Sequence, residues 1–165
     1  MTKKLMHWLG LTGIIALLSY AEAVCFSPLA YPDYNRLSQA VSDLSAENAP
    51  SRMLWNQLAA LNGACSVVCV TCVSVFVSEN KTNTRLLHVG IYLFTIMNWI
   101  SKIGYEMFPL SDSGKEFTSP QETMHIVVTA AVVLLSIVSL VLILRQASGK
   151  QASGAWASGL VPPLP

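Results

Sequence analysis

A stripe of six polar side chains runs along an otherwise apolar segment between Leu86 and Phe108. Successive residues of an α-helix are about 100° apart, which puts all six within about 120° of one another. Polar groups that face lipid cost free energy, so the stripe is predicted to face other helices or a water-filled cavity. Interhelical hydrogen bonding and a path for a ligand, lipid headgroup or ion are both open interpretations. The stripe consists of His88, Tyr92, Thr95, Asn98, Lys102 and Glu106.

Charged side chains from three segments are predicted to meet near one membrane boundary. At about 1.5 Å per residue, Glu22 lies about 26 Å along the first apolar segment and Lys102 about 24 Å along the third. These depths predict an interhelical ion pair, with Glu106 and His125 near the same level. Glu22, Glu106 and His125 lack any recognised metal-ligand spacing, so no metal site is predicted. The candidate ligand-binding residues are Glu22, His88, Tyr92, Asn98, Lys102, Glu106 and His125.

Two amides inside the apolar segments are also placed at one depth. Asn62 and Asn98 each lie about 12 Å below the same boundary of a hydrocarbon core about 30 Å thick. Antiparallel neighbours joined by a short turn bring such residues together, so the two amides are predicted to be in contact. A hydrogen bond of this kind contributes about 0.6 kcal/mol on average.

Cys65, Cys69 and Cys72 have the spacing C-x3-C-x2-C. Radical enzymes use cysteines with this spacing to hold an iron–sulfur cluster. The cluster ligands of those enzymes lie on a loop, whereas this spacing in an apolar helix puts all three on one face. We therefore interpret them as small packing residues. His7 and His88 are predicted to lie at a similar depth in the membrane. Depth alone does not indicate that the two imidazoles ligate a haem. No cofactor, disulfide or catalytic residue is predicted, because no motif supports one.

Composition indicates a membrane protein. The chain has 165 residues, of which 53% are apolar and 12% charged, with a mean hydropathy of +0.51. Soluble domains carry about 25% charged residues, so this chain has too few ionic groups to cover a water-facing surface. A net charge of +1 excludes the basic field of a nucleic-acid binder. The predicted fold class is all-α, an integral membrane helical bundle.

Four segments are long and apolar enough to cross a bilayer, which takes about 20 residues each. They cover about residues 5–26, 54–78, 86–108 and 124–144 and form a predicted membrane domain of residues 1–145. With four crossings, the basic residues of the flanking segments all fall on one side, which the positive-inside rule makes cytoplasmic. We therefore predict a multi-pass protein of the cell membrane with both termini cytoplasmic. The basic residues are Lys3, Lys4, Lys81, Arg85, Arg145 and Lys150.

The first segment could also be a cleaved secretory signal. Basic residues precede its apolar run, and Ala21-Glu22-Ala23 matches an A-x-A cleavage site. The run continues through Phe26, however, which is longer than the apolar part of a usual signal, and Val24 is not the small residue that a lipoprotein site needs. We expect the first span to be retained.

The segments outside the spans differ in kind. Residues 27–53 are too long for a simple turn, and Pro32-Asp33 opens a predicted amphipathic helix in this outer loop. Its apolar face would carry Leu37, Val41 and Leu44. Ser51 is a predicted N-cap of the second span. Residues 146–165, rich in Ala, Ser, Gly and Pro, are a predicted disordered tail, and the sequon at residues 80–82 is predicted to be cytoplasmic.

The outer loop is the most distinctive part of the chain: FSPLAYPDYNRLSQAVSDLSAENAPSRMLWN, from Phe26 to Asn56. With Glu122-Thr123-Met124-His125 and the fourth span, it resembles a polytopic membrane family of bacteria and archaea known as domain of unknown function nine-nine-eight. The likeness covers residues 6–145. It implies six spans and no assigned activity, and because nothing after Leu144 is apolar enough to cross again, we expect a four-span variant or a shortened chain. The motif residues that it implies are Pro32, Asp33, Ser38, Ser42 and Asp43.

Three classes of function are open. The leading interpretation is a non-enzymatic bundle that binds a small or lipidic ligand in its polar interior, or assembles with itself or another membrane protein. The polar stripe also favours a transporter or channel subunit. The third class is a membrane enzyme acting on lipids, with Asp33, Asp43 and His125 as acid and base candidates. The lipid bilayer is the expected surroundings, and no nucleic-acid partner is expected.

The orientation can be tested with reporter fusions. A reporter fused after Lys150 should be active only if it is a cytoplasmic one, because basic flanks stay on that side of the membrane. A reporter inserted near Glu47 should be active only if it is an external one. The opposite activity at the two positions would contradict the predicted orientation.

Overall fold

The computed structural model of the chain describes residues 3–79, 84–111 and 119–157. Within these residues it contains six α-helices and no strand. The predicted all-α fold is therefore confirmed. The helices are α1 (Lys3–Gly10), α2 (Thr12–Phe26), α3 (Arg52–Leu58), α4 (Ala60–Glu79), α5 (Arg85–Met107) and α6 (Pro120–Ala157).

Four helical stretches are long and apolar enough to cross a membrane, as the sequence predicts. The third is α5 alone and the fourth is most of α6. The first and second each consist of two consecutive helices, α1 with α2 and α3 with α4. The four stretches are Lys4–Ala30, Arg52–Glu79, Arg85–Met107 and Pro120–Ser148.

The four stretches pack in the order of the sequence. Helix α2 packs on α4, α4 on α5, and α5 on α6, while the contact between α2 and α6 is at most marginal among the described residues. The result is an open array in which α4 separates the first stretch from α5. We call the end that carries residues 26–52, 108–111 and 119–123 the motif end, and the end that carries Arg85 and Arg145 the basic end.

The contact between the first stretch and α4 is made by the three cysteines and by the break between α1 and α2. At this break the Thr12 hydroxyl donates to the Cys65 carbonyl oxygen at 3.1 Å, and the Cys69 thiol donates to the Gly10 carbonyl oxygen at 3.3 Å. Cys72, one turn further along, is buried. The three cysteines therefore lie on one packing face of α4, as their spacing predicts.

Glycines bring α5 and α6 into close contact. A Cβ atom added to Gly90 would lie 2.9 Å from Ile143 Cγ1 and 3.3 Å from the carbonyl oxygen of Ser139. At Gly104 it would lie 2.6 Å from Val128 Cγ1. Small residues permit this approach of two helix backbones, which is the usual way that helices pack in lipid.

The amphipathic helix predicted to begin at Pro32 is not formed, which corrects that prediction. Residues 31–40 form turns, and short 3-10 helices cover Ser27–Ala30 and Val41–Ser45. Asp33 has a left-handed backbone with φ of 62°, and the Asn35 side chain accepts a hydrogen bond from the Leu37 N–H at 2.9 Å. Such local side-chain bonds compete with helix formation. Leu37 is consequently 98% exposed while Leu44 is fully buried, so the two share no apolar face.

Side-chain hydrogen bonds hold this loop against the helices. Ser51 is the N-cap residue of α3, as predicted, but its hydroxyl donates to the Leu44 carbonyl oxygen at 2.8 Å instead of making a capping bond. The Glu47 N–H donates to the Leu110 carbonyl oxygen at 2.8 Å, which joins the first connection to the third. Arg36 donates to the carbonyl oxygen of Cys25 at 3.0 Å. The loop is therefore attached to the end of α2 and to the segment after α5.

The last helix is longer than the sequence predicts. A disordered tail is predicted from Gln146, but α6 continues to Ala157. Arg, Gln, Lys and Ala are good helix formers, and extending an existing helix avoids the cost of nucleating a new one. Residues 158–165, and the sequon with Lys81, lie outside the described residues.

Replacing Gly90 by Ala should destabilise the protein by about 1–3 kcal/mol, because the added methyl group overpacks the contact with α6. The loss would be measured as unfolding in denaturing detergent followed by circular dichroism. Gly10→Ala is the matched control, since a Cβ there meets nothing within 4 Å. Equal stability of the two variants would contradict the close packing of α5 and α6.

Candidate functional site

The middle of the polar stripe on α5 packs against α4. The Thr95 hydroxyl lies 2.5 Å from that of Ser74, with the Val70 carbonyl oxygen at 3.2 Å. One turn further, the Trp99 indole N–H donates to the Thr71 hydroxyl at 3.3 Å. This part of the stripe therefore serves interhelical hydrogen bonding, one of the two uses that its pattern predicts.

Lys102 pairs with Glu106 on its own helix, and the predicted ion pair between Glu22 and Lys102 is wrong. The aliphatic part of the lysine crosses α4 at Gly63, where an added Cβ would lie only 2.5 Å from Lys102 Cδ. Equal depth could not reveal that α4 stands between the two charged residues. Glu22 is exposed on α2 and forms neither a hydrogen bond nor an ion pair within the described ranges.

A shallow apolar groove lies on the same two turns of α5 as this pair. Its volume is about 260 Å³, and its lining is entirely apolar. Glu106 follows Ile103 at i+3, so its carboxylate is a neighbour of the groove on the surface of α5, whereas the stem of Lys102 packs on α4 at Gly63. We call the groove residues with Lys102 and Glu106 the boundary site. The groove residues are Trp99, Ile100, Ile103 and Gly104.

The other stripe residues lie apart from the boundary site or bond within their own helix. The His88 ring nitrogen Nδ1 is 2.9 Å from the Thr84 carbonyl oxygen, and the ring contacts Tyr92 at the basic end. Asn98 donates to the Phe94 carbonyl oxygen at 2.9 Å. Within the described part of the chain no hydrogen bond joins Asn98 to Asn62, so the predicted amide pair is not formed.

His125 belongs to the motif end. Its Nδ1 lies 2.7 Å from the Phe108 carbonyl oxygen, and its ring centroid is 5.2 Å from that of Tyr105. The Tyr105 hydroxyl donates to that of Thr129 at 3.3 Å. These contacts fix the end of α5 against the start of α6, so His125 does not meet Glu22 as its depth predicts. Across residues 3–79, 84–111 and 119–157, no three His, Cys, Asp or Glu side chains are placed to hold a metal ion.

Aromatic side chains mark the level of the boundary site. Tyr20 and Trp55 make an edge-to-face contact with ring centroids 6.1 Å apart, and Tyr105 lies near the end of α5. Tyrosine and tryptophan are enriched where a membrane meets water, because one part of each ring is apolar and another polar. Lys102 and Glu106 thus lie on the part of α5 where a membrane boundary is expected.

The motif residues implied by the family resemblance shape the loop. Pro32 and Asp33 are exposed, and the left-handed Asp33 directs the chain into its turns. The Ser38 N–H donates to the Asn35 carbonyl oxygen at 3.3 Å, and the Ser42 carbonyl oxygen accepts from Ser45 at 2.9 Å. Asp43 is half-buried and lies in the first turn of the 3-10 helix Val41–Ser45. These residues are spread along the loop and do not converge on one point.

Tyr34 connects the two halves of this loop. Its hydroxyl donates to the Ala40 carbonyl oxygen at 3.1 Å, and its ring contacts Tyr31. Burial raises the pKa of the Tyr34 phenol above the ordinary tyrosine value, and the carboxylate of Asp43 raises it further, against an opposing effect of Arg36. The raised pKa keeps the phenol protonated to a higher pH than in an ordinary tyrosine, and the protonated phenol is the donor to Ala40.

Several residues of the boundary site could not be singled out from the sequence. Gly104 carried one usable signal, as did Gly63 of α4 against which Lys102 packs, since glycines in long apolar helices mark close approaches of a neighbour. Trp99 and Ile103 carried none, because they resemble every other apolar residue of the segment. Only the packing of α5 shows which of them lie beside Lys102.

The sequence profile of a family of proteins of unknown function, DUF998, matches residues 14–162. The chain belongs to the DUF998 family. The resemblance noted in the outer loop is thereby confirmed. No curated protein and no solved structure matches the chain. Membership in DUF998 thus supports a helical protein of membrane type and assigns no ligand or activity.

Tyr34→Phe should lower the thermal stability of the protein near pH 8, because the hydrogen bond to Ala40 is lost. The pKa of Tyr34 is raised in the folded state. The stability that its hydrogen bond contributes is therefore fully present below about pH 10 and is lost as the pH rises through the folded-state pKa. The stabilities of the wild type and the variant should converge at high pH. Tyr31→Phe is the control, because the Tyr31 hydroxyl makes no hydrogen bond within the described ranges. A difference that stays constant up to about pH 12 would contradict this account.

Proposed function

We propose that this DUF998 protein is a multi-pass protein of a prokaryotic cell membrane, with both termini cytoplasmic, that binds a phospholipid at the boundary site and performs no catalysis. The charge distribution of the flanking segments supports the orientation. The observation that supports the lipid assignment is that the Lys102–Glu106 pair and the apolar groove occupy the same two turns of α5. The two parts match the two ends of an amphipathic lipid.

The groove suits a hydrocarbon chain. Its four lining residues offer only apolar surface, apart from the indole N–H of Trp99, which is already bonded to Thr71. Trp99 and Ile103 are each nearly half exposed, so a chain lying along them would bury apolar surface without displacing another helix. Gly104, the fourth lining residue, packs against Val128 of α6 and adds no side chain to the groove.

The charged pair suits a zwitterionic headgroup. A lysine ammonium binds phosphate as a point charge, and an accessible carboxylate accepts hydrogen bonds from an amine. The side chains of Lys102 and Glu106 are 36% and 63% exposed, so both can be reached from the boundary. A phospholipid whose headgroup carries both phosphate and a primary amine, such as phosphatidylethanolamine, is the best match. Phosphatidylcholine has no N–H to donate, and phosphatidylglycerol has no amine.

The two alternative functions have less support. A path along the stripe would require its middle to be open, but Thr95 and Trp99 are engaged with α4. An enzyme would require acid and base groups close together. Asp33 is exposed on a turn, whereas His125 is bonded to the end of α5, and no contact joins them within the described ranges.

Native mass spectrometry of the full chain, offered the three phospholipids in equal amounts, tests this proposal. The wild type should retain phosphatidylethanolamine best. Exposed charge interactions contribute about 0.2–1 kcal/mol, so Glu106→Gln should reduce this preference by up to about fivefold. Lys102→Ala should weaken retention of all three lipids, and Ile103→Trp should block the groove.

Lys4→Ala, which removes an exposed lysine at the basic end, is the matched control and should change nothing. Equal retention of the three lipids by the wild type, unaltered in the variants, would show that only bulk lipid surrounds α5 and would refute the proposal.

A further inference from the structure

A second cavity lies at the basic end, far from the boundary site. It has a volume of about 200 Å³ and lies between α1 and α4. Three of its six lining side chains carry a sulfur or imidazole donor, and the other three are apolar or glycine. The lining residues are Met6, His7, Gly10, Cys72, Val73 and Phe76.

The sulfur donors are buried and at least one is unengaged. Met6 and Cys72 are only 4% and 9% exposed. Cys69, one turn before Cys72, donates its thiol to the Gly10 carbonyl oxygen, but the Cys72 thiol makes no hydrogen bond within the described ranges. A free thiol that is more than nine-tenths buried therefore lines an empty space beside a thioether.

The cavity has one accessible side. His7 is exposed, and its ring centroid lies 6.5 Å from that of Phe76, so the imidazole stands at the mouth. At Gly10 an added Cβ would meet no atom within 4 Å, so the backbone of α1 leaves this side open. An ion arriving from the basic end would meet the imidazole first and the two sulfur atoms behind it.

The donor set selects one class of ion. Thiolate and thioether ligands favour soft ions such as copper(I), whereas structural zinc takes four Cys, His or carboxylate ligands, a set that the described residues do not supply here. The charge of the bound ion also favours copper(I). A monovalent ion bound to one thiolate forms a neutral unit, and burying a neutral unit avoids the large cost of burying a net charge.

We infer that Met6, His7 and Cys72 form a binding site for a single copper(I) ion. On binding, the Cys72 S–H bond breaks and a sulfur–copper bond forms, while the proton passes to water. Copper enters as copper(I), so no electron is transferred. The imidazole nitrogen and the Met6 sulfur complete a three-coordinate site with apolar walls.

The test is anaerobic competition between the full chain in detergent and a chromogenic copper(I) chelator such as bicinchoninate. One copper(I) should bind per chain. Loss of a direct ligand should weaken binding more than the roughly 10–100-fold that loss of an outer-shell partner costs, so Cys72→Ala and Met6→Leu should each exceed that range. Cys25→Ala and Met107→Leu, which alter an exposed cysteine and an exposed methionine at the motif end, should bind like the wild type.

X-ray absorption of the copper-loaded wild type gives a second readout that needs no variant. The expected nearest neighbours are two sulfur atoms and one nitrogen. A shell of sulfur alone, or an equal loss of binding in Cys69→Ala and Cys72→Ala, would mean that the cysteines of α4 bind copper by themselves and would overturn the inference. Binding that is unchanged in Cys72→Ala would overturn it as well.

Discussion

The position of α5 between α4 and α6 is the constraint on which the rest of this structure depends. On one side Thr95 shares a hydrogen bond with Ser74, and on the other Gly90 and Gly104 let α6 approach closely. In surroundings without water, packing of small residues and hydrogen bonds are the interactions left to hold helices together. Once α5 is fixed in this way, its remaining surface bears the groove and the charged pair of the boundary site.

The motif end is organised by a different kind of interaction. Hydrogen bonds between loop side chains and backbone groups replace a regular helix, and the fully buried Leu44 and Ser51 anchor the loop. The bond between the Glu47 N–H and the Leu110 carbonyl oxygen then joins the first connection to the third. The loop residues that the family resemblance implies as a motif lie along this backbone path and do not gather into a site.

The two proposed sites use opposite properties of the array. The boundary site lies on an exposed side of α5, where an apolar surface and a charged pair adjoin. The proposed copper site lies in a gap between α1 and α4, next to the break between α1 and α2. Both sites depend on the pairwise packing of the helices in an open array. This packing leaves a side of α5 exposed and a gap between α1 and α4.

The sequence by itself determined the helices and their grouping. Long apolar runs cannot satisfy their backbone groups in lipid except as helices, so the four stretches follow from composition alone. The spacing of the three cysteines likewise determined their common face on α4, because helical periodicity is local. The loop near Pro32 was the local exception, where Asp33 and Asn35 stabilise turns and override the apolar spacing.

Only the tertiary structure decided which residues meet. Depth along a helix placed Glu22 and Lys102 at one level, but it carries no information on which helix stands between them, and α4 does. The same holds for the groove beside Lys102 and for the cavity that joins Met6 and Cys72. Each depends on the rotation of one helix against another, and that rotation is set by contacts between residues far apart in the chain.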